Sequence, residues 1–198
     1  MVQTLSQTCL VVCPGMHSPR LTQSLLTEID LLLPKLNLRI LTFPQAEYWA
    51  FSPFLILEFL QQQIETPRQS DLIFLAFSAG VVGAMGAAQA WHYHRGQSVR
   101  ALIAVDGWGV PLAGEFPIYR LSHDYYTHWS SALLGAGRSR FYADPAVSHH
   151  SLWRSPTQVT GWQIEPASKS AQAKFPTTAA TFLTTLLQQH SPDPAAAS

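Results

Sequence analysis

The sequence predicts an α/β protein built on a doubly wound, mostly parallel sheet of about five to six strands in the order 2-1-3-4-5. Three observations lead there. Short apolar runs such as Cys9-Leu10-Val11-Val12-Cys13, Leu72–Ala76 and Ala101–Val105 read as strands covered on both faces. Segments with apolar residues at helical spacing separate them. Proline or glycine closes many of the elements. Such alternation places helices on both faces of a parallel sheet.

The elements follow in order. Cys9–Cys13 is the first strand, stopped by Pro14-Gly15. Leu21–Leu33 is a helix, with Leu25, Leu26, Ile29, Leu32 and Leu33 on one face and Pro34 at its end. Leu38–Phe43 is the second strand, closed by Pro44. Ser52-Pro53 supplies an N-cap and a first-turn proline for a helix to about Ile64. Leu72–Ala76 is the third strand, followed by a helix from Ala79 to about His92. Ala101–Val105 is the fourth. Gly107–Arg120 then reads as a long aromatic loop, His123–Leu134 as a helix and Arg140–Ala143 as a fifth strand. Val159–Ile164 is expected as an edge strand and Phe175–Gln189 as the closing helix. Residues 1–190 read as one domain and Ser191–Ser198 as a disordered tail.

Composition excludes some functions. Apolar residues make up 47% of the 198, but charged residues only 12%, and the net charge is zero. No basic run supports nucleic-acid binding. A surface so poor in charge is prone to association and is compatible with a protein partner, an oligomer or an apolar substrate, without choosing among them. Oligomeric state is not legible. Cys9 and Cys13 would stand about 13 Å apart on an extended strand, too far for a disulfide, so reduced thiols are expected. No histidine pair stands at metal-ligand spacing beside them, and no phosphate loop, zinc motif or dinucleotide fingerprint occurs, so neither a metal nor another cofactor is expected. No signal peptide or membrane-spanning run is legible, which points to a cytoplasmic protein.

The segment richest in chemistry is Leu72-Ile73-Phe74-Leu75-Ala76-Phe77-Ser78-Ala79-Gly80. An apolar strand ends in small-x-Ser-x-Gly and a Gly/Ala-rich helix follows. A serine there sits on a crowded strand-to-helix turn with its hydroxyl exposed at the sheet's end. Crowding demands small residues two before and two after, here Ala76 and Gly80. The plainer alternative is a buried strand turning into a tightly packed helix.

Strand order 2-1-3-4-5 puts the loop Pro14-Gly15-Met16-His17 beside this turn, where ligands of doubly wound sheets bind. Together these two segments resemble the oxyanion loop and nucleophile elbow of the α/β-hydrolase superfamily. The small, lidless branch typified by cutinases is the most similar, and the chain also resembles a group of such proteins in photosynthetic organisms. The alanine at the first glycine position of the elbow is a departure from the pattern. The resemblance implies Ser78 as nucleophile, with the backbone N–H groups of Met16 and Ala79 as oxyanion hole. A plastid relative would place the chain in the stroma.

In that superfamily the acid and histidine follow the serine in that order. Asp144 and His149, in Phe141-Tyr142-Ala143-Asp144-Pro145-Ala146-Val147-Ser148-His149-His150, fit it. The alternative is that Asp144 caps a helix starting at Pro145. His150 and His123 compete with His149 for the base, and Asp106, ending the fourth strand, competes with Asp144 for the acid. His17, Asp106, Trp108 and His123 are expected around the pocket. Two functions stand against each other. One is a serine hydrolase of an ester or thioester; the other is a non-catalytic binding or assembly protein on the same scaffold.

Overall fold

The computed structural model describes residues 7–33, 38–66, 70–95, 98–135, 137–166 and 173–191. It is an α/β protein. Strands β1 (Gln7–Cys13), β2 (Arg39–Thr42), β3 (Ser70–Phe77), β4 (Val99–Val105), β5 (Ile118–Ser122), β6 (Arg140–Ala143), β7 (Thr160–Ile164) and β8 (Lys174–Thr178) form one sheet. Their order is β2-β1-β3-β4-β5-β6-β7-β8. Pairing is parallel from β2 to β6 and antiparallel from β6 to β8. The described helices are α1 (Pro19–Leu32), α2 (Pro53–Gln63), α3 (Ala79–Arg95), α4 (Tyr125–Ala132), α5 (His149–Arg154) and α6 (Ala179–His190).

Side chains alternate across the central strands, so each strand feeds two cores. Cys9, Val11, Leu72, Phe74 and Ala76 face α2 and α3, packing on Ile56, Leu60, Ala84 and Trp91. Leu10, Val12, Ile73, Leu75, Phe77 and Ile103 face the other way, against Leu25, Ile29, Trp153, Phe182 and Leu186 of α1, α5 and α6. All eight residues of β3 are buried. Burying each such aliphatic side chain is worth about 1.5–3 kcal/mol. Cys9 and Cys13 are free and buried, and burial raises both thiol pKa values.

Helix ends follow local chemistry. The Ser52 hydroxyl accepts from Leu55 N, the Asp124 carboxylate from Thr127 N at 2.6 Å, and the Ser148 hydroxyl from Ser151 N at 3.1 Å. Proline begins α1 and α2.

The sheet is larger than the sequence suggests, and three elements differ. The expected loop Gly107–Arg120 ends in strand β5, which slots between β4 and the strand expected to be fifth. Its signal was masked by Arg120, which is 3% exposed inside the strand. That guanidinium donates to the carbonyls of Gly135 at 2.6 Å, Val110 at 3.1 Å and Leu134 at 3.4 Å, joining the loops on either side. Phe175–Thr178, expected as helix, belongs to β8, where Pro176 is tolerated because the strand lies at the sheet's edge. The third is α5, a short helix capped by Ser148, not a helix starting at Pro145. Pro34 and residues 192–198, expected as a helix stop and a disordered tail, lie outside the described residues. Among the described residues no helix is long and apolar enough to cross a membrane.

One buried histidine makes the fold acid-sensitive. His128 of α4 is 8% exposed, its Nδ1 has no hydrogen-bond partner, and its ring lies 5.0 Å from that of Tyr142. Burial first, then the nearby charges of Arg140, Arg120 and Lys174, lower its pKa from 6.5 to about 4. Between those values the unfolded chain binds a proton that the native chain refuses, so stability falls as pH falls through this window. Denaturant titrations should show a loss on the order of 2 kcal/mol between pH 6.5 and 4 from this group. His128→Phe should make that slope shallower by this group's share; an unchanged slope would contradict it.

Candidate functional site

Because β1 to β6 run parallel, their C-terminal ends share one edge of the sheet. The segments that leave that edge carry Gly15, Ser78, Asp106, His123 and His149. Parallel order thus gathers residues that are far apart in the chain.

The turn at Ser78 is sharp. Ser78 lies between β3 and α3 with φ 54°, in the left-handed region that a non-glycine residue rarely occupies. Its N–H donates to Val105 O at 2.9 Å and its carbonyl accepts from Val81 N at 3.0 Å, so the strained turn is held from both sides. Small neighbours are required. A methyl group on Gly80 would collide with the carbonyl oxygens of Cys13 and Pro14, and one on Gly15 would lie 2.8 Å from Ser78 Cβ. Backbone contact therefore joins the loop after β1 to the Ser78 turn. Met16 is next in that loop and its side chain is 78% exposed.

Asp106 directly follows β4 in the same left-handed conformation, with φ 52°. Its N–H donates to Leu121 O at 2.8 Å. Its carboxylate is buried and accepts three hydrogen bonds. His123 N donates to Oδ1 at 2.9 Å, His123 Nδ1 meets Oδ2 at 3.1 Å, and His149 Nδ1 meets Oδ2 at 2.8 Å. Burial pushes the Asp106 pKa up, but the bonds from the two histidines outweigh it and the net direction is down. His123 is raised, chiefly by its bond to Asp106.

His149 is also fixed by packing. Its ring stacks on Phe77, the residue before Ser78, at 4.4 Å and 25°. Trp153, one turn along α5, stacks on Phe77 as well, at 4.9 Å. Val147 N donates to His123 O at 3.0 Å, tying the segment before α5 to the end of β5.

Ser78, Ala79, Asp106, Trp108, His123 and His149 line one cleft of about 490 Å³, together with Val82, Val110, Asp124, Tyr126 and Thr127. Trp108 and Tyr126 are mostly exposed at it, and Trp108 Nε1 donates to Ser130 Oγ at 3.1 Å. Among the described residues no hydrogen bond joins Ser78 Oγ to either histidine.

Neither a family model nor a curated protein matches the chain. The case for this site is therefore geometric.

That geometry redistributes the residues singled out in the sequence. Asp144, expected to orient His149, does not reach it. Its carboxylate accepts from Trp162 Nε1 at 2.8 Å, and the acid against His149 is Asp106. The reason is β5: it lies between β4 and β6, and His149 leans back across it toward the end of β4. His123 and His149 both reach the carboxylate. His150 is exposed, its ring 6.2 Å from that of His17. His17, expected beside the pocket, does not line this cleft. Its Nε2 pairs with Thr22 Oγ1 at 3.0 Å, its ring meets Phe77 edge-on, and burial lowers its pKa to about 4. The two-histidine carboxylate had a sequence signal in Val105-Asp106-Gly107 and His123-Asp124, but its weight depended on a strand that the sequence hid.

The close approach at Gly80 has a measurable consequence. Gly80→Ala should cost about 1–3 kcal/mol in chemical denaturation through overpacking alone. A variant as stable as wild type would mean that the loop after β1 does not bear on the Ser78 turn.

Proposed function

We propose that the chain is a serine hydrolase of the α/β-hydrolase kind, acting on an ester or thioester, with Ser78 as nucleophile, His149 as base and Asp106 as orienting acid. One observation carries this: a serine on a left-handed strand-to-helix turn shares a cleft with a histidine whose Nδ1 is held by a buried carboxylate. The bond at Nδ1 puts that nitrogen's proton toward Asp106 and leaves Nε2 as the ring's acceptor.

The chemistry follows. His149 Nε2 takes the Ser78 hydroxyl proton as Oγ bonds to the substrate carbonyl carbon. Negative charge develops on the carbonyl oxygen. Backbone N–H groups of Met16 and Ala79 are the proposed donors to it, each worth about 3 kcal/mol. The first turn of α3 adds its dipole. His149 then gives the proton to the leaving alkoxide or thiolate. Water, activated by the same ring, releases the acid. Asp106 keeps its charge throughout and stabilises the imidazolium that forms. The rotation that closes Ser78 Oγ onto Nε2 belongs to the substrate complex, since such bonds tighten when substrate binds. Val82, Val110, Trp108 and Tyr126 give the cleft an apolar wall suited to an acyl group.

Fluorophosphonate should label the wild-type protein at one residue, and Ser78→Ala should abolish both labelling and turnover of short acyl esters. Wild type that neither labels nor turns over any acyl ester would return the scaffold to the binding-protein reading. The choice of acid has its own test. Asp106→Asn should lower turnover by about 10⁴-fold, whereas Asp144→Asn should change it little. The reverse pattern would restore Asp144 as the acid.

A further inference from the structure

The cleft contains a second histidine that the hydrolase chemistry leaves unused. The ligand atoms of Asp106, His123 and His149 all lie within 4.8 Å of one another. Both Nδ1 atoms converge on the one oxygen, Oδ2, at 3.1 and 2.8 Å. Two imidazoles and a carboxylate facing open space form a donor set for borderline divalent ions, which imidazole suits.

His123 supplies the independent clue. Its Nδ1 faces Asp106 Oδ2 at 3.1 Å, and its Nε2 faces Asp124 Oδ2 at 3.3 Å. Both ring nitrogens thus meet carboxylate oxygens. A neutral imidazole has one N–H and one lone pair, so it cannot donate to both. Protonation of His123 resolves the conflict, and an ion at Nδ1 of the neutral ring resolves it equally. The lone pair goes to the metal, the proton moves to Nε2, and Nε2–H donates to Asp124. A ligating histidine with its far nitrogen on a carboxylate is the usual outer-shell arrangement of protein zinc sites. Asp124 is itself anchored, because Oδ1 caps α4 at Thr127 N.

We propose that Asp106, His123 and His149 bind a zinc-class divalent ion, with Asp124 orienting His123, and that this ion switches the hydrolase off. The switching half rests on the function proposed above; the binding half does not. Ligand-to-metal distances near 2.0–2.2 Å need only small movements of three atoms already this close. Water from the cleft completes the coordination.

The inhibition follows from the tautomer. With the ion on His149 Nδ1, the ring's proton resides on Nε2. Nε2 then has no lone pair to accept the Ser78 proton, and the base is lost. A neutral ring neither gains nor loses a proton overall; its N–H moves from Nδ1 to Nε2.

Co²⁺ titration of the metal-stripped full chain tests binding without using activity. One equivalent should bind at micromolar concentration with a visible d–d absorption, and Zn²⁺ should displace it. His123→Ala should abolish the band. Asp124→Asn should weaken Zn²⁺ binding about 10–100-fold, and circular dichroism should show both variants folded. Absence of a band in wild type, or a band that survives in folded His123→Ala, would overturn the site. If His123→Ala does not fold, the Asp124→Asn affinity decides: an unchanged value overturns it. Zn²⁺ should then block fluorophosphonate labelling of Ser78, and chelator should restore it. Labelling that continues in the Zn²⁺-loaded protein would overturn the switch. Protein that binds Co²⁺ as described but never labels, even when metal-free, would reject the hydrolase and leave the metal site standing.

Discussion

The buried carboxylate of Asp106 is the interaction on which the candidate site depends. It sits at the end of a central strand, turned into the cleft by a left-handed backbone. Three donors from two different segments converge on it. One segment follows β5 and the other follows β6. Neither would have a fixed position over the sheet from loop propensity alone. A buried charge must be satisfied, and removing a donor from it costs more than an ordinary hydrogen bond gives. That asymmetry converts two loops into a defined pair of imidazoles. Packing assists at His149, whose ring rests on Phe77.

The second constraint is steric. The loop after β1 touches the turn after β3 at backbone distance, which only glycine at positions 15 and 80 permits. The elbow pattern in the sequence is therefore a packing requirement that also suits a reaction site. Packing by itself would accept many residues at position 78. What sets the serine apart is the company it keeps, a cleft shared with a held histidine.

Much of this was legible in the chain. Uninterrupted apolar strands such as Cys9–Cys13 and Leu72–Ala76 have no other use than burial on both faces, and the cap at Ser52-Pro53 is local chemistry. The legible part stops where burial and composition part company. Arg120 is a charged residue inside a strand, satisfied by three carbonyls from loops that no local window contains. Reading it as a loop removed β5. Without β5 in view, the carboxylate expected against His149 is Asp144, near it in sequence, whereas the one that meets it lies directly after β4. Proximity along the chain was the wrong measure. His149 sits on a short helix that crosses back over β5, and only the three-dimensional order shows which carboxylate it meets. His17 is a similar case: adjacency to the glycine loop does not say where its ring goes, and the ring pairs with Thr22 and meets Phe77 edge-on.

A single carboxylate oxygen facing two imidazoles imposes a choice that geometry alone does not remove. In the proposed hydrolase, Oδ2 would hold the proton of His149 on Nδ1 so that Nε2 stays basic. His123 competes for the same oxygen while its other nitrogen faces Asp124. A protonated His123 satisfies both carboxylates and leaves the Nδ1 proton of His149 directed to Asp106, the tautomer the proposed reaction needs. An ion bound as proposed would satisfy them too, but would take His149 with it. The two states would use the same atoms: His149 keeps one proton, moved from Nδ1 to Nε2, whereas His123 releases its Nδ1 proton to solvent as the ion binds. Asp124 both caps α4 and faces His123 Nε2 at 3.3 Å, so a proton on Nε2 is favoured in either state.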